Sequence, residues 1–424
     1  MQDSAVLLRA LPGEVLDNPR PGDAWERCAL AGSSDRALVD AVAKAITPPK
    51  ITASSSFVLH APMELIARAR LLRLAPPASR PEGRRRIAEI ATRYARSGSE
   101  IEAAPRSYAD ETPALNALTA AIPAGDVAEA DGALAWLLDR VSSPALIAGL
   151  ADAVIPALGA AAHAPILLAM FLNSPKMGEA YGGLLRAPVR YLTLQGAARL
   201  TWPTSAVSST TPSGDLFDVL VSPPHVDSPS LFIAPTMLAA EAGGLAERLL
   251  AGPTHALSLE DAERSLLRLA AWSMLQDDAR HAPYGWTHCL TLPQGVLTVA
   301  AVAGDRRAAI RVAATHVLGL RAAQGNAALD PAGPLPPPTA RSLPGASPAE
   351  AASIAFHTPP EETGPMRATL AGHAVSHADA HLAKYTLACF DAATRDPQAA
   401  PLYLAAAAYL GAWWDENSNA AFGD

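Results

Sequence analysis

An all-α fold follows from three features of the sequence: alanine and leucine dominate, apolar residues recur at helical spacing in segment after segment, and alternating β-branched runs are scarce. With 424 residues, 50% of them hydrophobic, the chain can bury a large core, as a single large helical domain over 1–424 or as two fused helical lobes. The spacing predicts helices over 36–46, 62–75, 83–97, 113–122, 131–141, 144–172, 234–251, 259–275, 296–324, 366–395 and 400–415. Ser258, followed by Glu260 and Asp261, has the form of an N-cap with acidic residues in the first turn. Residues 201–230, rich in Ser, Thr and Pro, and 327–350, rich in Pro and Ala, read as long surface loops. No repeat of helical-solenoid length is visible.

Composition excludes several classes. A net charge of −8 argues against nucleic acid as a partner, because phosphate binding needs a basic surface. Arg84-Arg85-Arg86 is the single compact basic cluster and reads as a solvated turn. Cys28, Cys289 and Cys389 are far apart and lack Cys-x-x-Cys spacing, so neither a disulfide framework nor a zinc module follows; Cys289 and Cys389 read as small buried hydrophobes. The start, MQDSAVLLRALPGEVLDN, has no basic region before a long apolar core, and the expected location is the cytoplasm. Ala153 to Leu172 is long enough to span a bilayer, but Pro156, Gly159, Pro165 and the central His163 favour a helix buried in protein, with no membrane partner. Neither a Gly-x-Gly-x-x-Gly turn after a strand nor a Walker loop is present, which removes a classical flavin or nicotinamide domain.

The histidines are the most informative polar residues. In His373-Ala-Val-Ser-His377-Ala-Asp-Ala-His381-Leu-Ala-Lys384, a continuous helix would set His377, His381 and Lys384 on one face. That face reads equally as a solvated stripe, since Asp391 and Arg395 continue it. His163, within AVIPALGAAAHAPILLAMFL, must find a partner inside the protein, and His288 and His60 lie in comparable apolar settings. One buried histidine is ordinary, but isolated histidines in several separate apolar segments point to a shared centre. His377 and His281 are second-choice ligands or substrate-binding donors, with Pro283 and Gly285 expected to interrupt the helix between His281 and His288. His225, His255 and His316 read as structural or surface residues, and Asp277-Asp278 with Arg280 as a solvated helix end. Asp379, Thr287 and Gln294 are neighbours able to orient imidazoles, or ordinary caps and surface groups.

Asp379-Ala-His381-Leu-Ala-Lys384 with the following Pro401-Leu-Tyr-Leu-Ala-Ala-Ala-Ala408 resembles the His-x-x-Lys signature and Pro-x-Tyr-x-Ala-Ala-Ala helix of the questin oxidase-like family. His163-Ala-Pro-Ile-Leu-Leu-Ala and Trp286-Thr-His288-Cys-Leu-Thr are similar to its internal histidine motifs, and the likeness covers blocks 50–75, 145–200, 265–320 and 370–415. The chain departs from the pattern in having one N-terminal histidine, His60, instead of a cluster, and Leu290-Thr-Leu-Pro-Gln-Gly295 in place of a threonine–glycine–histidine stretch. The resemblance implies a helical oxygenase that uses dioxygen to open or oxidise a ring of a polycyclic aromatic metabolite such as an anthraquinone, by Baeyer–Villiger-type or dioxygenase chemistry. It implies a mononuclear non-haem Fe(II), with His60, His163, His288 and His381 as imidazole ligands and Lys384, carboxylated on its amine, as the fifth. His381 and Lys384 are then the expected catalytic pair, and an external reductant such as NADPH is compatible.

Charge supports a carbamate on its own terms. Four neutral imidazoles leave a divalent ion uncompensated in an apolar site, a lysine ammonium only repels it, and a buried neutral amine can capture carbon dioxide to become an anionic oxygen donor. From another class, the alternative is a degenerate helical protein that binds a hydrophobic small molecule without turnover. A di-iron helical oxidase would need inward Glu-x-x-His pairs, and none is present.

Overall fold

The computed structural model describes residues 32–51, 57–104, 106–204, 216–330, 335–339 and 342–417. The reading of the N-terminal segment, and Cys28 with it, lies outside the described residues. The N-terminal helices are α1 (Asp35–Ile46), α2 (Phe57–Leu72), α3 (Arg80–Arg96), α4 (Glu111–Ala124), α5 (Val127–Leu138), α6 (Ser143–Val154), α7 (His163–Leu172), α8 (Pro175–Ala180) and α9 (Arg186–Leu194). Then come α10 (Leu216–Val221), α11 (Ile233–Glu241), α12 (Leu245–Ala256), α13 (Leu259–Gln276), α14 (Thr287–Ala300) and α15 (Arg306–Gln324). The chain ends with α16 (Pro348–Phe356), α17 (Thr363–Ser376), α18 (Ala380–Arg395) and α19 (Ala400–Glu416). The fold is all-α: among the described residues the only β-type pairings are the isolated bridges Lys50–Glu100 and Ala157–Arg199. No helix among them is long and apolar enough to cross a membrane.

Four helices whose sequences are apolar on nearly every side form the centre. Every residue of α14 is buried, as is every residue of α2 except Arg70 and of α7 except Leu172; α18 exposes only its last turns. A helix with no polar face must be covered all round. Here α2 packs against α7 and α18, α14 packs against the same two, and the remaining helices cover the outside.

Several long predicted segments are divided by local chemistry that overrides periodicity. The segment 144–172 is broken after α6, where Gly159–Ala162 forms a short 3₁₀ turn, so Ala153–Leu172 is not one helix. Gly243 and Gly244, at φ +70° and +72°, separate α11 from α12. Asp305 caps α15 through the amides of Arg307 and Ala308, and divides 296–324. Residues 366–395 split where His377 leaves the helix at ψ 150° and Asp379 accepts from the His381 amide to start α18. Short helices α8, α9 and α16 lack enough turns for periodicity to mark them, and α10 lies within the stretch read as a loop.

Some charged groups are buried instead of solvated. Arg84, Arg85 and Arg86 lie in α3, paired with Asp35, Glu82 and Glu89, not in an exposed turn. Asp277 is no solvated helix end: its side chain is fully buried against Arg321, 3.1 Å away. Arg68 is fully buried, paired with Glu64 at 2.7 Å, and donates to the Val375 carbonyl at 2.7 Å, closing the C-terminal end of α17. His316 is 1% exposed, neither ring nitrogen has a hydrogen-bond partner among the described residues, and burial lowers its pKa to about 3.

Candidate metal centre

Each central helix carries one histidine to the same place. His60 comes from α2, His163 begins α7, His288 is one residue into α14, and His381 one residue into α18. Ring centroids are 4.7 Å apart for His60–His163 and for His60–His381, 5.1 Å for His163–His288 and 5.4 Å for His288–His381. Lys384, one turn after His381, lies with its Nζ 3.0 Å from His60 Nδ1 and is 5% exposed. The histidines read from separate apolar segments are therefore brought together with the lysine.

Backbone geometry on either side of the cluster is unusual. Ala160, Ala161 and Ala162 all hold left-handed φ, at +55°, +49° and +55°, just before His163. L-residues there pay on the order of 1–2 kcal/mol each, and such strain persists only where surrounding structure enforces it. The Gln195 side chain, which receives the Ala160 amide at 3.1 Å, is one such restraint. Replacing the partly exposed Ala161 by glycine should relieve strain there, partly offset by glycine's chain entropy, for a net gain of roughly 0.5–1 kcal/mol. A higher urea midpoint checks this; a lower one would mean the alanine methyl is packed. Before α14, residues Ala282–Trp286 form a π-helical turn. The chain remains helical from His281 to His288, so Pro283 and Gly285 do not interrupt it as expected.

Those turns aim the rings. His163 Nδ1 is 3.0 Å from the Ala160 carbonyl, His288 Nδ1 contacts the Tyr284 carbonyl, and His381 Nδ1 is 3.2 Å from Asp379 Oδ1. Burial alone would raise the Asp379 pKa, but hydrogen bonds from His381 hold it far below the ordinary carboxylate range, so it is an acceptor. An oxygen acceptor at Nδ1 requires Nδ1–H, which leaves each Nε2 with a bare lone pair in the neutral ring. The Nε2 atoms of His163 and His288 face one another at 3.3 Å. Burial first, then nearby Lys384 and His381, lowers the His163 pKa to about 3; burial and the neighbouring histidines push His288 well below its usual value. Two neutral lone-pair donors at that separation are suited to a cation between them, and about 2.9–3.3 Å is the edge of an octahedron or tetrahedron with arms of about 2.05 Å. Donor spacing is not that of a finished site: among the described residues no three His, Cys, Asp or Glu side chains are already set to hold an ion together.

The second-choice residues do not join the cluster. His377 is held at the end of α17, its Nδ1 accepting from the Asp379 amide at 3.1 Å, so its proton sits on Nε2 and no lone pair remains for a metal. Its i, i+4 relation to His381 is lost with the helix break. His281 stacks edge-on to Trp286 instead, at 6.2 Å. Of the proposed orienting groups, Asp379 meets His381, whereas Thr287 donates to Pro283 O at 2.8 Å and Gln294 to Ala388 O at 3.0 Å.

Sequence reasoning missed Tyr284, whose carbonyl meets His288 and whose ring lies 4.8 Å from that of His381. Its position four residues before His288 was the available signal. It also missed Met63, Ile166, Thr291 and the fully buried Tyr385, which line the cavity at the cluster. That cavity is about 10 Å³, enough for one water. No family model, curated protein or solved structure compared with this chain matches it.

Proposed function

We propose that this protein is a mononuclear non-haem iron oxygenase acting on an apolar aromatic metabolite, with His60, His163, His288 and His381 as nitrogen ligands and Lys384, carboxylated, as the anionic one. The observation that carries a metal is the pair of deprotonated Nε2 atoms 3.3 Å apart, with the Nδ1 of each ring committed to an oxygen. Imidazole donors suit several first-row metals; iron is the choice that agrees with the family resemblance. When bound, it would supply redox chemistry with dioxygen.

The chain's own residues do the rest. The Ala160 and Tyr284 carbonyls and the Asp379 carboxylate fix the tautomers and raise the basicity of three rings. Met63, Ile166 and Tyr385 exclude bulk water, and Thr291 offers a hydroxyl at the wall. Thr291 already donates to Thr287 O at 3.0 Å, so it meets a guest as an acceptor.

Metal analysis of purified protein is expected to give about one iron per chain, and His381→Ala to lose most of it with helical content unchanged. Absence of iron from the native protein, or full retention in the variant, would overturn the assignment. A second reading, a protein that binds a hydrophobic molecule without turnover, is favoured by the one-water cavity, which admits no polycyclic ring unless the helices part. Dioxygen uptake by the iron-loaded protein with an anthraquinone-type compound separates the two.

A further inference from the structure

A second chamber adjoins the first. It lies among α7, α14 and α18, is about 20 Å³, and shares Ile166, Thr291 and Lys384 with the cavity at the histidines. Ala169 and Ala388 keep its walls thin, and Gly295 lets α14 approach α7 so closely that a Cβ there would lie 2.9 Å from the Ile166 amide nitrogen. Its outer end reaches the half-buried Asn173 and Asp391.

A polar strap closes that end. Asp391 takes both arms of the Arg70 guanidinium at 2.8 and 2.6 Å and the Asn173 amide at 3.2 Å, while Arg395 donates to Asn173 Oδ1 at 2.7 Å. The strap ties α2, α7 and α18 together at the mouth. It makes the three helices hard to part there, so a bulky molecule is refused at this side.

We infer that the two chambers form one passage, walled mainly by apolar side chains inside the polar strap and narrow enough for a diatomic gas, through which dioxygen reaches the histidine cluster separately from any larger substrate. The identity of the gas rests on the oxygenase reading; the passage does not. Inside the strap the outer chamber is walled mainly by Ile166, Ala169, Met170, Leu387 and Ala388, and an apolar wall of that kind suits a small apolar guest.

Oxygen-induced relaxation of methyl resonances in the metal-free protein tests this, because dissolved dioxygen is paramagnetic and the readout needs neither metal nor turnover. Under oxygen pressure, the methyls of Ile166, Met63 and Met170 should relax faster than that of Ile147 on α6, which is as buried as Met63, at 1% exposed, but lines neither chamber. Ala169→Leu should abolish the excess at Met63, the inner methyl, and Asp391→Ala should enlarge it. Relaxation at Met63 and Ile166 no greater than at Ile147 in the native protein would overturn the passage, whether or not either variant folds. Iron-dependent dioxygen consumption, measured separately, would leave the oxygenase reading standing in that case.

Discussion

Lys384→Met should strip the protein of most of its iron and of its dioxygen chemistry while leaving it folded. Methionine keeps a long flexible apolar stem between the same helices, so the packing around position 384 can survive the change. What it removes is the amine that stands 3.0 Å from His60 and lines both chambers. In the proposed four-histidine site the carbamate would be the sole anionic ligand, so without it a divalent ion would remain uncompensated. Expected results are an unchanged circular dichroism spectrum, an iron content far below one per chain, no dioxygen uptake, and loss of the carbamate carbon signal obtained by labelling the native protein with ¹³C-bicarbonate. Lys384→Glu would restore charge but hold its oxygens nearer the backbone, recovering some metal at best. Should Lys384→Met bind iron fully and turn over at the native rate, the carbamate is wrong, and the four imidazoles alone must hold the ion.

The metal-free protein should lose most of its stability between pH 6 and pH 4. Burial lowers the pKa of His163 and of His316 to about 3 in the folded chain, against about 6.5 when unfolded, and His60 and His288 are shifted the same way. The unfolded chain therefore binds protons that the folded one refuses throughout that window. Stability contributed by neutral burial is fully present above pH 6.5 and is lost as pH falls toward 3. The slope is about 1.4 kcal/mol per pH unit for each such histidine, so His163 and His316 alone would remove roughly 5 kcal/mol over two units, comparable with a typical total stability. Urea midpoints taken from pH 7 to pH 4 check it. A flat profile would show that these imidazoles carry protons in the fold. His316→Leu, on a different helix from every proposed ligand, should flatten the profile without altering iron binding.

The sequence by itself determined the helical class and the identity of the clustered residues. Apolar helices must be buried, and a lone histidine in each of several such segments points inward, so His60, His163 and His288 were legible from burial, whereas His381 and Lys384 were singled out by the family resemblance. Tertiary structure alone decided how the rings are aimed. The left-handed alanines before His163, the π turn carrying Tyr284, and the break that retires His377 and installs Asp379 beside His381 have no periodic signature. Each is a local conformation whose strain or altered hydrogen bonding is outweighed by packing from distant segments, and single-sequence patterns do not record that balance. The size of the cavity was equally beyond reach, because it is set by which side chains of α7, α14 and α18 come to face one another once those helices are docked.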